Sequence, residues 1–362
     1  MKTGAKLRVL IAGGGTGGHV IPALAIGREL VTRYGAELCF VGTERGIETR
    51  LVPEAGFRLE LIQVGQLKNV SVATRLRTLT ALPRGVVRCM ALLRRFMPDV
   101  VVGVGGYASG PAMMAAILLR VPTVAYEPNA APGLANRLVG SRVSAAAVNF
   151  VESAKFFRHA EVTGVPVRKE IFTIPAKPAG TAPRLLIFAG SQGAKVFNEM
   201  MPQIVRGLLE AVPGLTIVHQ AGSRHAEATQ AAYEASGVDA SRWRVCAFLD
   251  DMPAQYSAAD LILCRSGSTV AELAAAGKPS LLVPYPYAAD DHQRKNAEAM
   301  VNAGAAAMRL EAGLTAEELQ RELAGLLGDP ARLAEMSVRA RAMAKPGAVE
   351  RIAEMIAGLA KR

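Results

Sequence analysis

The stretch Leu7-Arg8-Val9-Leu10-Ile11-Ala12-Gly13-Gly14-Gly15-Thr16-Gly17-Gly18-His19 decides the fold of this 362-residue chain. A short apolar run ends in five glycines broken once by threonine, and Val20-Ile21-Pro22-Ala23-Leu24 follows the histidine. This reads as a buried strand, a tight loop and the start of a helix. Glycines let backbone N–H groups approach a phosphate, and a helix N-terminus adds partial positive charge. Gly13, Gly15 and Gly18 satisfy G-x-G-x-x-G, so a dinucleotide site is one reading of the loop. His19, at the helix start, is a candidate general base, and equally a cap or a neutral hydrogen-bond donor.

Working outward, apolar runs alternate with helix-length segments. Strands are expected at 7–12, 37–42, 58–63, 99–104, 121–126, 143–148 and 160–163, with helices at 19–33, 46–55, 73–96, 109–119 and 132–138. Such alternation implies parallel βαβ units in a doubly wound sheet, whose active groups belong at the carboxyl ends of the strands. The Gly13–His19 loop, Gly105–Gly110 and Glu127-Pro128-Asn129 all fall at such ends. Glu127 competes with His19 for the role of base. Residues 100–119 carry no charge, but Gly103, Gly105, Gly106, Gly110 and Pro111 mark a strand–turn–helix rather than a membrane span.

Between Thr163 and Pro183 four prolines and two glycines suggest an interdomain connection. The opening device then recurs: Arg184–Ala189 runs into Gly190-Ser191-Gln192-Gly193, with a helix at 196–211. Strands at 215–219, 243–247, 260–264 and 279–283 alternate with helices at 225–236, 253–258, 268–276 and 292–303. A last helix spans 347–361. The chain reads as two similar α/β domains.

Composition narrows the classes. Hydrophobic residues at 51% and charged residues at 20% describe a globular chain, and its length suits two cores. Cys39, Cys89, Cys246 and Cys264 form no C-x-x-C pair and read as buried hydrophobes of a reducing compartment. The first six residues lead straight into a strand, so no signal peptide is expected. Of the net charge of +11, nearly all lies before residue 166. Leu61–Pro98 holds Lys68, Arg75, Arg77, Arg84, Arg88, Arg94 and Arg95 and no acidic residue, which calls for an anionic partner. With Phe96 its one aromatic, a base-stacking nucleic-acid surface is disfavoured.

Two constellations in the second half carry chemistry. Ser266, Gly267, Ser268 and Thr269 can present N–H groups to a phosphate, with Glu272 one turn on and placed for a ribose diol. A plain capping box using Glu272 is the alternative. Past Pro284–Ala289, Gln293 and Asn296 share a helical face that suits sugar hydroxyls. Asp290-Asp291-His292 is a weak metal-ligand pattern, or an ordinary solvated helix start.

Six motifs stand in one order: Gly14-Gly15-Thr16-Gly17-Gly18-His19, Gly105-Gly106-Tyr107-Ala108-Ser109-Gly110-Pro111, Glu127-Pro128-Asn129, Gly164-Val165-Pro166-Val167-Arg168, Gly190-Ser191-Gln192-Gly193-Ala194 and Arg265-Ser266-Gly267. Together they resemble, over essentially the full length, the bacterial N-acetylglucosaminyltransferases that convert lipid I to lipid II in peptidoglycan synthesis. The resemblance implies a GT-B glycosyltransferase fold, two Rossmann-like domains facing a central cleft. It divides the chain into 1–164, an acceptor- and membrane-side domain on which 346–362 packs back, and 165–345, a UDP-GlcNAc-binding domain. It implies an inverting, metal-independent reaction without cofactor, in which the MurNAc C4 hydroxyl of undecaprenyl-linked lipid I attacks UDP-GlcNAc. Carried over by motif, the donor site takes Thr16, Gly17, Gly18 and Asn129 from the first half. From the second it takes Arg168, Ser191, Leu249 (backbone, to uracil), Ser268, Thr269, Val270, Glu272 and Gln293. Catalysis falls to His19, ahead of Glu127. Where relatives often carry Gln-Gln, this chain has His292-Gln293.

The basic 61–98 segment, with Leu76, Leu79, Leu82, Val86 and Val87 interleaved, then reads as an anionic-membrane patch on a peripheral protein of the cytoplasmic face of the inner membrane. The same apolar residues would equally serve as a helix face packed on the sheet. Two alternatives remain: a GT-B transferase acting on another glycolipid or natural product, and a dinucleotide-binding oxidoreductase or non-catalytic binding module. The latter would need an acidic residue closing the second strand, which only Glu44 offers, and would leave the second glycine loop without a role.

Overall fold

The computed structural model describes residues 6–44, 46–63, 72–175, 177–178, 180–190 and 192–360, and for 72–82 the backbone alone. The chain divides into two compact units, Met1–Pro166 with Gly347–Arg362, and Val167–Pro346.

The first unit runs β1 (Arg8–Ala12), α1 (Gly17–Tyr34), β2 (Glu37–Gly42), α2 (Glu48–Glu54), β3 (Arg58–Leu61), α3 (Val72–Phe96) and β4 (Val100–Gly103). It continues through α4 (Ser109–Leu118), β5 (Thr123–Glu127), α5 (Leu134–Val139), β6 (Ala145–Val148), α6 (Val151–Ala154) and β7 (Ala160–Val162). The strands form one parallel sheet in the order β3-β2-β1-β4-β5-β6-β7. A parallel sheet is covered on both faces, which is why its central strands are unbroken apolar runs. Val100, Val101 and Val102 of β4 are fully buried. The uncharged 100–119 stretch is thus β4, a turn and α4, and among the described residues no helix is long and apolar enough to cross a membrane.

The second unit contains α7 (Lys169–Phe172), β8 (Arg184–Phe188), α8 (Lys195–Ala211), β9 (Thr216–Gln220), α9 (Ala226–Ala235), β10 (Trp243–Cys246), α10 (Met252–Ala258) and β11 (Leu261–Cys264). Then come α11 (Thr269–Ala276), β12 (Ser280–Leu282), α12 (His292–Asn302), β13 (Ala306–Met308), α13 (Ala316–Leu327) and α14 (Pro330–Met343). Its sheet is again parallel, in the order β10-β9-β8-β11-β12-β13. The sequence reading placed no element between 303 and 347, yet β13, α13 and α14 complete this unit. Leu319, Leu323 and Leu326 of α13 join Phe197, Met201 and Leu208 of α8 in its core.

The final helix, α15 (Ala348–Ala360), belongs to the first unit. Ile352, Ala353 and Ile356 pack with Val20, Ala23 and Leu24 of α1, and Arg351 pairs with both oxygens of Glu161 at 2.6 and 2.9 Å. That exposed ion pair adds little beside the buried apolar contact. Ile356 is fully buried, so Ile356→Ala should destabilise the first unit by about 2–5 kcal/mol, read as an earlier denaturant midpoint. An unchanged midpoint would mean that α15 is not part of that core.

Candidate active site

In each sheet the strand order reverses direction at one place, β1/β4 in the first unit and β8/β11 in the second. Loops leaving the carboxyl ends of strands diverge there and open a crevice. Both glycine loops sit at these switch points.

In the first unit the loop after β1 and the loop after β4 are packed backbone on backbone. The Gly14 N–H donates to the Gly105 carbonyl at 3.4 Å. Gly105 and Gly106 have φ of +91° and +81°, and a Cβ at either would strike His19 or Gly14, so only glycine fits. The sequence sets backbone N–H groups of the glycine loop toward a phosphate. The structure corrects this: those of Gly13, Gly14 and Gly15 go to the Val41 carbonyl, the Gly105 carbonyl and Glu48. The opening N–H groups of α1, including those of Gly17 and Gly18, have no intrahelical acceptor. Thr16 is the extended N-cap residue and is exposed.

His19 stands in the first turn of α1. Its Nδ1 lies 3.2 Å from the Gly14 carbonyl and 3.4 Å from Thr16 Oγ1. A carbonyl can only accept, so Nδ1 carries the proton and Nε2 keeps a lone pair in the neutral ring. Nε2 lies over Gly105, where a Cβ would come within 2.9 Å of it. The imidazole is half-buried.

Glu127 is in a different situation. It is 2% exposed, and its carboxylate accepts four N–H groups at 3.0 Å: Asn129 backbone and Nδ2, the Gly133 backbone and Asn136 Nδ2. Burial, the larger influence, pushes its carboxyl above the ordinary range, and the donors pull against that. It organises the 128–136 turn, and the Asn129 side chain is engaged in that task.

In the second unit, the loops after β8 and β9 interlock, because a Cβ on Gly193 would strike the Ala221 carbonyl. Ser191 lies outside the described residues. The N-terminus of α11 follows β11. Ser268 is its exposed N-cap residue, and the opening N–H groups of Ser268 and Thr269 have no intrahelical acceptor. Val270 is buried, with its N–H on the Gly267 carbonyl at 3.4 Å. Glu272 forms no capping box; its Oε2 accepts the hydroxyl of fully buried Tyr256 at 2.8 Å, leaving the carboxylate half-buried. Burial first, then Glu272, pushes the Tyr256 phenol well above its usual range, so it stays a donor. Arg168, at the N-cap of α7, is half-exposed and 3.8 Å from Glu170, and its charge reaches Tyr256.

Leu249 is buried in the loop between β10 and α10, beside Phe248, which is exposed. Gln293 is on α12, its Oε1 accepting the Tyr285 N–H at 3.0 Å and its Nε2 facing Gly267. Asn296 corrects an expectation. It is 1% exposed and donates to the Ser266 carbonyl at 3.1 Å, while Ser266 Oγ donates to the Gln293 carbonyl at 2.7 Å. These bonds hold the 265–268 loop, so Asn296 does not present its amide to a sugar. Arg265 is likewise structural, bonded to the Val283 and Pro284 carbonyls and paired with Glu311. His292 Nδ1 lies 2.7 Å from the Ala289 carbonyl.

In the basic segment, Lys68 lies outside the described residues and the side chains of Arg75, Arg77, Leu76, Leu79 and Leu82 are not described. Of the remainder, Val86 belongs to the core with Cys89, Leu92, Leu93 and Phe96. Val87, Arg84, Arg88, Arg94 and Arg95 face outward, and Arg95 pairs with Glu60 at 2.8 Å. The packed-helix reading holds for Val86. The four cysteines are free thiols; burial pushes Cys39 up to about 11 and Cys89 up to about 12.

Two parallel doubly wound units, each with a glycine loop at its switch point, are the architecture of the GT-B fold. Residues 9–148 match the glycosyltransferase family 28 N-terminal domain and residues 184–352 the family 28 C-terminal domain, and the chain belongs to that family. It is 44% identical over 362 residues to a protein of Anaeromyxobacter dehalogenans, covering 98% of this chain and 94% of the relative. That relative is named UDP-N-acetylglucosamine--N-acetylmuramyl-(pentapeptide) pyrophosphoryl-undecaprenol N-acetylglucosamine transferase. A Solibacter usitatus protein of the same name is 45% identical, covering 97% of this chain and 96% of its own. Among solved structures, Acinetobacter baumannii MurG superposes with a TM-score of 0.82 at 31% identity, covering 97% of this chain and 99% of that one. The calicheamicin glycosyltransferase CalG4, at 17% identity and a TM-score of 0.67, shares the fold.

Proposed function

We propose that this chain transfers GlcNAc from UDP-GlcNAc to the C4 hydroxyl of MurNAc in undecaprenyl-diphospho-MurNAc-pentapeptide, converting lipid I to lipid II. The observation that carries the reading is the near-full-length identity, 44–45%, to relatives named for that transfer.

The chemistry follows from the residues. The acceptor hydroxyl is a weak nucleophile, and a lone pair at His19 Nε2 relieves it of its proton as the C4 oxygen attacks the anomeric carbon. The hydroxyl oxygen enters as the UDP oxygen leaves, so the anomeric configuration inverts. Charge growing on the departing diphosphate is met within the second unit by N–H groups at the start of α11, by the Ser191 loop and by Arg168, which fits a metal-independent reaction. The half-buried carboxylate of Glu272, braced by Tyr256, is suited to the ribose hydroxyls. Gln293 serves the GlcNAc hydroxyls, and the Leu249 backbone serves uracil. In this reading the first unit handles the acceptor and the second the donor. Glu127 shapes the 128–136 turn and leaves the base role to His19.

A lipid-linked acceptor requires the protein to work at a membrane surface. The outward-facing Arg84, Arg88, Arg94 and Arg95 of α3, with exposed Val87, support a peripheral site on anionic lipid at the cytoplasmic face of the inner membrane.

Labelled GlcNAc should pass from UDP-GlcNAc to a lipid I analogue in the presence of chelator; no transfer would remove this reading, and dependence on added magnesium would remove the metal-free step. His19→Ala should lower kcat by roughly 10²–10⁴-fold with little change in donor KM, and near-normal turnover would reject His19 as the base. Vesicles containing anionic lipid should bind the protein in a salt-sensitive way. The Arg84→Ala/Arg88→Ala variant should weaken that binding about fivefold per arginine, at ~1 kcal/mol each. Binding indifferent to lipid charge and to salt would contradict the electrostatic contact.

A further inference from the structure

Glu48 opens α2 and is 1% exposed, yet no step of the reaction above uses it. Its Oε1 accepts the backbone N–H of Thr43 at 2.9 Å and the Thr43 hydroxyl at 3.0 Å, and its Oε2 accepts the Gly15 N–H at 2.7 Å. The space around it is cleared by glycine. A Cβ on Gly14 or Gly46 would overlap its carboxyl group, and one on Gly42 would come within 2.5 Å of its Cγ. Three glycines on three segments thus surround one buried carboxylate.

The Gly15 N–H and the Gly14 carbonyl belong to the same peptide group. That group is planar and trans, so its N–H and C=O point in opposite directions. On one side the N–H meets Glu48; on the other the carbonyl accepts from His19 Nδ1 at 3.2 Å. We infer that Glu48 is a positioning residue for His19, acting through the Gly14–Gly15 peptide group as a carboxylate–peptide–imidazole relay. Holding the N–H fixes the plane of the peptide and therefore the direction of the carbonyl. The carbonyl in turn keeps the proton on Nδ1 and the lone pair on Nε2. Hydrogen bonds in series polarise one another, so the carboxylate also makes the carbonyl a better acceptor. The relay does what a carboxylate bonded directly to a histidine does elsewhere, with one peptide group interposed. It rests on the reading of His19 as the base.

Glutamine at this position has one accepting oxygen. If that oxygen stays with Thr43, the amide NH₂ faces the Gly15 N–H, donor against donor, and the peptide group loses its anchor. The test uses the full chain and compares wild type, Glu48→Gln, His19→Ala and the double variant in the transfer assay. Glu48→Gln should lower kcat roughly tenfold or more while donor KM moves by less than about threefold, as for a small misplacement of the reacting group. In the His19→Ala background the same change should cost nothing further, because the residue acts only through the imidazole. Equal losses in both backgrounds, or wild-type turnover for Glu48→Gln, would overturn the relay.

Should Glu48→Gln fail to fold, Gly46→Ala displaces the carboxyl without deleting it and should show a smaller loss of the same kind, again absent without His19. The ¹⁵N spectrum of the His19 ring gives a readout independent of turnover: Nδ1-protonated in the wild type, a tautomer mixture in Glu48→Gln. An unchanged tautomer would overturn the relay even if turnover fell. Full turnover by His19→Ala would instead remove the base assignment and leave the spectrum to judge the relay on its own.

Discussion

The contact on which the first unit's site depends is that between the two glycine loops at the ends of β1 and β4. Adjacent parallel strands bring their carboxyl ends within one strand spacing of each other, and the helices that follow go to opposite faces. Any side chain in the seam would separate the loops. With Gly14 against Gly105 and Gly106, the backbone closes the seam and the start of α1 is held in place. His19 then inherits its position from main-chain geometry, which a flexible loop could not supply.

The second unit solves the same topological problem with different chemistry. Its first glycine loop is closed by glycine against the loop after β9, on the side away from the β8/β11 switch point, at Gly193 against Ala221, and its distinguishing group is a carboxylate rather than an imidazole. Glu272 reaches out half-exposed because the fully buried Tyr256 hydroxyl secures one of its oxygens. Around it Ser266, Asn296 and Arg265 consume their polar groups internally, which stiffens the loop from which α11 starts. One fold, used twice, thus presents an imidazole at one helix start and a carboxylate one turn into another, the groups on which the proposed division between acceptor and donor rests.

Much of this was legible in the sequence because parallel strands are continuous apolar runs and their loops are rich in glycine. Every strand of the first unit, and those of the second up to β12, fall where hydrophobic runs place them. The stretch from β13 to α14 was missed, although its helices carry local signals. Thr315 and Glu318 form a reciprocal capping box, and Asp329 caps a helix that starts with Pro330. β13, three residues long, is too short for periodicity to reveal. At the site, types and spacing pointed to His19 and Glu272 but not to what holds them. Tyr256 lies 16 residues from Glu272, and Glu48 is 33 residues from Gly15; such partners are set by tertiary packing alone. The same limit explains Asn296 and Glu127, polar residues in plausible places whose groups the fold itself had already taken.

Amide hydrogen exchange with and without UDP-GlcNAc tests the division of labour most directly. The donor should slow exchange chiefly in the second unit, at residues 248–252, 265–272 and 289–296, in wild type and His19→Ala alike, and Glu272→Ala should abolish that protection. Protection confined to residues 13–19, with the second unit unaffected, would return the first glycine loop to the role of a nucleotide cradle and remove donor binding from the second unit.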